Sequence, residues 1–298
     1  MQSLMGGTIR YVSLIVFILL FAKIPIPSDR ALLGYTQENR PDDLDTLLNK
    51  CADYCEKLAN ASLFFVCTER IEEEINEFNA KGYSRYRYYK GIGAKKVEGN
   101  TYVYDYQLIK KGKRIEEKRI LLEENGEKKN EANAQLKTKV FYSKRSVFGP
   151  VGLLARKNHD KYNYKILDDE DIHGRKAAVI EATPKLKMRD MPNYGKIWVD
   201  KEDYSILKIE VAEESLVGVD RVKETSKLKS PPTISVTHHY DEVYKTDKNQ
   251  IVRFPSKTDF LYEKNFYKRG GGELVRIAKT QFIYDNYKFF TVDVDVKY

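Results

Sequence analysis

Tryptophan occurs once in these 298 residues, cysteine three times and histidine four times, and charge of one sign is scarce, with 52 basic side chains against 44 acidic ones. Each shortage removes a class of function. The excess of eight positive charges falls to six once residues 1–30 are set aside. The lysine-rich stretch 110–129 is interleaved with glutamates, so it reads as an exposed hairpin and nucleic acid is not expected as a partner. So thin an excess suits work near anionic lipid.

Metal and catalytic chemistry fare no better. Cys51, Cys55 and Cys67 have no histidine near them, which leaves a structural zinc one ligand short. His238 and His239 are neighbours on a predicted strand, so their rings point to opposite faces. His173 falls in a predicted hairpin turn and His159 in a polar loop. The acidic run Asp168–Asp171 lacks the spacing of a calcium loop. Arg269-Gly270-Gly271-Gly272 lacks the Lys-Ser/Thr and the helix of a phosphate loop. No Gly-x-Ser-x-Gly is present. The expectation is a protein that is not an enzyme and holds neither metal nor cofactor.

Long apolar runs are missing too. The longest, Tyr11–Ala22, is preceded by Arg10 and followed by Lys23. Its helix would be about 18 Å long against about 30 Å of hydrocarbon. A short apolar run behind a basic start reads as a secretory signal peptide, cut near Ala22 or Ala31, with an uncleaved anchor as the alternative. The mature protein is therefore expected outside the cytoplasm, as one domain over residues 31–298. That compartment permits a Cys55–Cys67 disulfide pinning the first helix to the first strand.

What the chain has in quantity is tyrosine, 22 residues beside 13 phenylalanines. Tyrosine favours strands with one greasy and one wet face. Leu44, Leu47, Leu48, Cys51, Tyr54, Cys55 and Leu58 recur at helical spacing after Pro41. The period then becomes two, with Phe65, Cys67, Glu69 and Ile71 on one face. Tyr102, Tyr104, Tyr106 and Leu108 form a second such row. Asn125-Gly126 is a tight-turn signal, as is His173-Gly174. Residues 131–157 break the alternation, and Val151, Leu153 and Leu154 make a short apolar helix after Gly149-Pro150. Four long strands are expected at about 233–246, 250–263, 273–284 and 288–297. The fold class is mainly β with helices (α+β). About ten or eleven antiparallel strands form a strongly curved sheet, because twist accumulates along so many.

The stretch Phe148-Gly-Pro-Val-Gly-Leu-Leu-Ala-Arg-Lys-Asn158, followed by Tyr162-Asn-Tyr-Lys-Ile166, resembles the lid-helix region of the LolA/LolB-type periplasmic lipoprotein carriers. Val179–Lys185, ending in Thr-Pro-Lys, and the Gly195–Val211 hairpin are similar to later strands of that family. The resemblance implies an unclosed half-barrel under an N-terminal helix and a mid-chain lid. Its apolar concave face would shelter lipid or lipoprotein acyl chains in the periplasm, for transport or sorting to the outer membrane. The lid would be Phe148, Val151, Leu153 and Leu154, hinged at Gly149, Pro150 and Gly152. Cavity-facing positions would include Tyr102, Tyr104, Tyr106, Ile197 and Val199, with plain core packing as the alternative for each. Arg70, Arg85 and Arg87 are open candidates for the arginine that latches the lid in those carriers. The chain is expected to be a monomer. A second reading keeps the fold and makes it an envelope sensor, as in the related anti-sigma regulators, that recognises an envelope membrane protein or a lipid signal.

Overall fold

The computed structural model describes residues 43–61, 64–76, 97–111, 114–141, 146–186, 193–216, 233–245, 249, 251–268 and 271–290. The Tyr11–Ala22 run lies outside these. None of the described helices is long and apolar enough to cross a membrane.

Helix α1 (Leu44–Ala61) buries Leu47, Leu48, Cys51, Ala52, Tyr54, Cys55 and Leu58. Asp45 in its first turn complements the helix dipole. Four strands follow: β1 (Phe64–Asn76), β2 (Val97–Lys111), β3 (Arg114–Glu124) and β4 (Glu127–Ala132). The β3–β4 turn holds Asn125 and Gly126 at φ 51° and 82°, the left-handed conformation that an Asn-Gly hairpin supplies. Helix α2 (Gly149–Leu154) comes next, then β5 (Tyr162–Ile166), β6 (Glu170–Ile172), β7 (Arg175–Pro184), β8 (Gly195–Asp200) and β9 (Ile206–Val211). The last group is β10 (Thr233–His239), β11 (Glu242–Lys245), β12 (Ile251–Phe254), β13 (Lys257–Lys268) and β14 (Gly271–Phe289).

Twelve of these strands make one curved antiparallel sheet in the order β4-β3-β2-β1-β14-β13-β10-β9-β8-β7-β5, with β6 beside β7. The order ends at β4 and β5 without closing, so the sheet is an unclosed half-barrel. Among the described residues, strands β11 and β12 pair with each other and not with the main sheet. The half-barrel is the expected one, but its strands are cut differently. The stretch read as 233–246 is β10 and β11, broken at Tyr240-Asp241. The stretch read as 250–263 is β12 and the start of β13, broken at Pro255-Ser256, where proline cannot donate to a ladder. The break expected between the strands 273–284 and 288–297, at Asp285-Asn286, is instead a bulge inside β14. Asn286 takes φ 55° there, and the register with β1 shifts between Val66 and Thr68.

The concave face carries the main core. Along β2 every second side chain, Tyr102, Tyr104, Tyr106 and Leu108, is buried. On the opposite face a small cluster of Ala177, Val179, Trp198 and Leu207 is covered by Leu167 and Ile172. Strand β7 is therefore buried on both sides. The cysteines are a correction: all three are free and buried, so the expected Cys55–Cys67 disulfide is not formed. Cys55 Sγ instead lies 3.4 Å from the Pro150 carbonyl oxygen. Burial pushes Cys51 up to about 12 and raises Cys55 and Cys67 as well. These are inert core thiols.

Candidate functional site

The site is built on rows of side chains across the concave face. Register places Ile71, Tyr102 and Glu124 in one row, Glu69, Tyr104 and Leu121 in the next, and Cys67, Tyr106 and Arg119 in a third. The rows are mostly apolar, with one charged pair set among them. Arg119 donates through Nε to Glu69 Oε2 at 2.5 Å and through Nη2 to Oε1 at 2.9 Å. Its guanidinium lies 4.4 Å from the Tyr106 ring centre. Tyr106 in turn donates to Glu117 Oε1 at 2.7 Å. Burial works against the Arg119 charge, but the two bonds to Glu69 outweigh it and hold the guanidinium more firmly protonated than usual.

Beside α1, whose buried side belongs to the same cluster, two smaller covers lie on this face. One is α2, packed against α1 and β9. Its own Leu153 and Leu154 are fully buried, while Phe148 and Val151 are half-buried and pack on the same cluster. Side chains from the following segment cap the end of α2. Asn158 Nδ2 donates to Val151 O at 3.3 Å and Gly152 O at 3.1 Å. Tyr164 donates to Leu153 O at 2.6 Å, and His159 Nε2 lies 2.8 Å from Leu154 O. Arg156 fastens the segment to α1 through Asn49 at 2.6 Å and Asp53 at 2.8 Å. Gly149 also has a packing part. A Cβ there would stand 2.9 Å from the Tyr240 hydroxyl and 3.3 Å from Ile209 Cδ1, so glycine lets α2 press against the sheet.

The second cover is a strap, Ala134–Phe141, at the start of the stretch 131–157 where the alternation breaks. Tyr102 donates to Lys137 O and Tyr104 to Gln135 O, each at 3.4 Å. Glu73, itself buried, accepts the Lys139 amide at 2.9 Å and the Val140 amide at 3.0 Å. Desolvation raises the Glu73 pKa, and those two amides oppose the rise.

All nine lid and cavity candidates thus fall in one apolar cluster. Tyr102, Tyr104 and Tyr106 lie on β2, with hydroxyls of the first two bonded to the strap, and Ile197 and Val199 lie on β8. None of the nine lines the open cleft of about 450 Å³ between the start of α1 and β5, whose walls include Leu44, Leu48, Tyr162, Tyr164 and Lys185. Of the latch candidates, Arg70 is exposed, and Arg85 and Arg87 lie outside the described residues. Arg119, Arg156, Glu69 and Glu73 went unnoticed in the sequence as site residues. For the glutamates a signal existed: both share the parity of Phe65, Cys67 and Ile71 on β1. No cluster of potential metal ligands occurs among the described residues.

A family described only as an uncharacterized protein matches residues 153–248, about a third of the chain. None of the curated proteins matches. Among solved structures, the chain is similar to an outer membrane lipoprotein-sorting protein domain from Vibrio parahaemolyticus, with 12% identity, a TM-score of 0.39 and coverage of 83% of this chain and 95% of that one. It is also similar to a LolA superfamily protein from Nitrosomonas europaea, with 12% identity, a TM-score of 0.34 and coverage of 83% and 94%. A third likeness is to the MucA/MucB complex of Pseudomonas aeruginosa, with 10% identity, a TM-score of 0.23 and coverage of 81% and 99%. At such scores the chain traces overlap only in part, and the functional reading below stands on this chain's own geometry.

Proposed function

We propose that this protein is a non-enzymatic lipid binder of the cell envelope that takes a lipid, or the acyl chain of a lipoprotein, between its concave face and the α2 lid, and carries it across an aqueous compartment as a monomer. A signal peptide at the N-terminus and a single domain beyond it belong to the same proposal. One observation carries the reading: beside α1 and the β11–β12 pair, the apolar face of an open sheet is covered by two small pieces, a six-residue helix and a strap. Covers this small separate from a sheet more readily than a packed layer does. Each methylene withdrawn from water is worth about 0.8 kcal/mol, so an acyl chain gains by entering where Leu153 and Leu154 now sit.

Native mass spectrometry of gently purified protein tests this, together with titration of a fluorescent phospholipid. The expected result is near-stoichiometric bound lipid, and loss of lipid uptake in Leu153→Asp/Leu154→Asp. Because that variant buries two charges, Arg156→Ala serves beside it. Arg156 is exposed and holds the lid segment to α1, so its removal should speed lipid entry with the fold intact. Unchanged lipid binding in a folded Leu153/Leu154 variant would overturn the proposal. Lipid-free protein that captures an envelope membrane protein would favour the sensor reading instead.

A further inference from the structure

The strap Ala134–Phe141 is held across the face where a ligand would lie, by contacts that suit a replaceable occupant. Its backbone bonds run to side chains of the sheet more than to a strand partner. The Ala134 amide reaches Arg119 O at 2.9 Å. Beyond it, the backbone contacts are the Tyr102 and Tyr104 hydroxyls and the Glu73 carboxylate, while the ammonium of Lys137 pairs with Glu124 and Glu131 and that of Lys139 with Glu98 at the sheet's half-exposed rim. The strap ends in a ring. Phe141 stacks on Phe260 with centroids 4.3 Å apart and planes 6° apart, and meets the edge of Phe282 at 6.1 Å. Phe260 and Phe282 are themselves fully buried, so Phe141 fills an apolar slot that belongs to the sheet.

The fit is imperfect. The Thr280 and Thr138 hydroxyls are buried without a hydrogen-bond partner. Thr280 lies in β14 directly opposite Glu73 on one side and Phe260 on the other, at the middle of the slot. An orphaned hydroxyl weakens the seated state, because its water was removed and nothing replaced it.

We propose that the groove formed by Tyr102, Tyr104, Glu73, Phe260, Thr280 and Phe282 is a binding site for a single acyl chain, and that the strap is its internal occupant, with Phe141 holding the place of the chain. The acyl chain enters the Phe260–Phe282 slot, its carboxyl or ester oxygen meets the stranded Thr280 hydroxyl, and the strap leaves. This rests on the lipid-binding reading and adds to it a second cover, about which α2 says nothing.

The test follows hydrogen exchange of the Lys139 and Val140 amides in the full-length protein while cis-parinaric acid is added. Ligand should accelerate exchange across 134–141. Phe141→Ala and Glu73→Gln, two independent ways of loosening the strap, should each bind the probe about tenfold more tightly, since the competent fraction rises. Unaltered Trp198 fluorescence checks that each variant is folded. Competition by oleate against lysophosphatidylcholine tells a free acid from an ester-linked chain. Binding with strap protection intact, or wild-type affinity in both variants, overturns this site while leaving lipid binding under α2 in place. Failure of the wild type and both variants to bind overturns both readings together.

Discussion

Arg119 and Glu69 are 8% and 0% exposed, with two hydrogen bonds between them. Removing one partner strands a buried charge. Arg119→Met alone should therefore lower stability by about 3–5 kcal/mol, whereas Arg119→Met with Glu69→Leu should recover most of it. Urea denaturation of the three proteins checks this, and equal losses would show that the pair acts only through packing. His238 offers a cleaner titration. Its ring is buried, and Nδ1 lies 2.8 Å from the Thr258 hydroxyl. Desolvation, then the charge of His239, lowers its pKa from 6.5 to about 4. The unfolded chain protonates as pH falls through 6.5, while the folded ring resists until about 4. Its contribution is thus complete above 6.5 and drains away between 6.5 and 4, amounting to about 3 kcal/mol. His238→Gln should flatten the stability profile in that window, measured as the difference in unfolding free energy between pH 7 and pH 4.5.

At the scale of elements, α2 depends on one missing side chain. Gly149→Ala would put a methyl 2.9 Å from the hydroxyl of fully buried Tyr240. Overpacking of this kind costs about 1–3 kcal/mol, which should show as several degrees of lost Tm and a lid that seats less firmly. An unchanged Tm would mean that Tyr240 gives way freely. The sequence announced α2 by its composition but not this close approach, because Tyr240 and Ile209 reach Gly149 only through the tertiary fold. The parity of β2 was legible for a simple reason: three tyrosines and a leucine alternate without exception, and all four are buried. The strap was not legible. Its bonds to Tyr102, Tyr104 and Glu73 span 31 to 67 residues of chain, and its own residues show no period. Asn286 misled in the same way. Asp-Asn suggests a turn, yet the β1 ladder resumes at Lys288 and Phe289 and turns the signal into a bulge.

Across the whole molecule, the last described strand is the joint. Phe282 of β14 pairs with Ile71 on one side and Thr258 on the other, and Ala278 pairs with Ile75 and Tyr262. Without β14, strands β1–β4 would have no ladder to β13, β10 and the strands beyond. The sheet is therefore completed by a pairing that spans some two hundred residues of sequence, which should make folding slow, on the order of milliseconds to seconds. The single tryptophan allows a direct check. Trp198 sits in β8, on the far side of that joint from β1–β4, where its Nε1 donates to Glu170 at 2.9 Å and the Lys208 ammonium lies 3.5 Å from its ring centre. Its fluorescence reports the β5–β9 half, whereas far-UV circular dichroism reports all strands. If β14 makes the sheet one cooperative unit, the two urea curves should superimpose in the wild type. In Lys279→Pro, which removes a ladder amide from the central strand, they should separate, with the dichroism falling first while Trp198 stays native. Superimposed curves at the wild-type midpoint in that variant would show that the concave core alone, and not the β14 ladder, binds the two halves together.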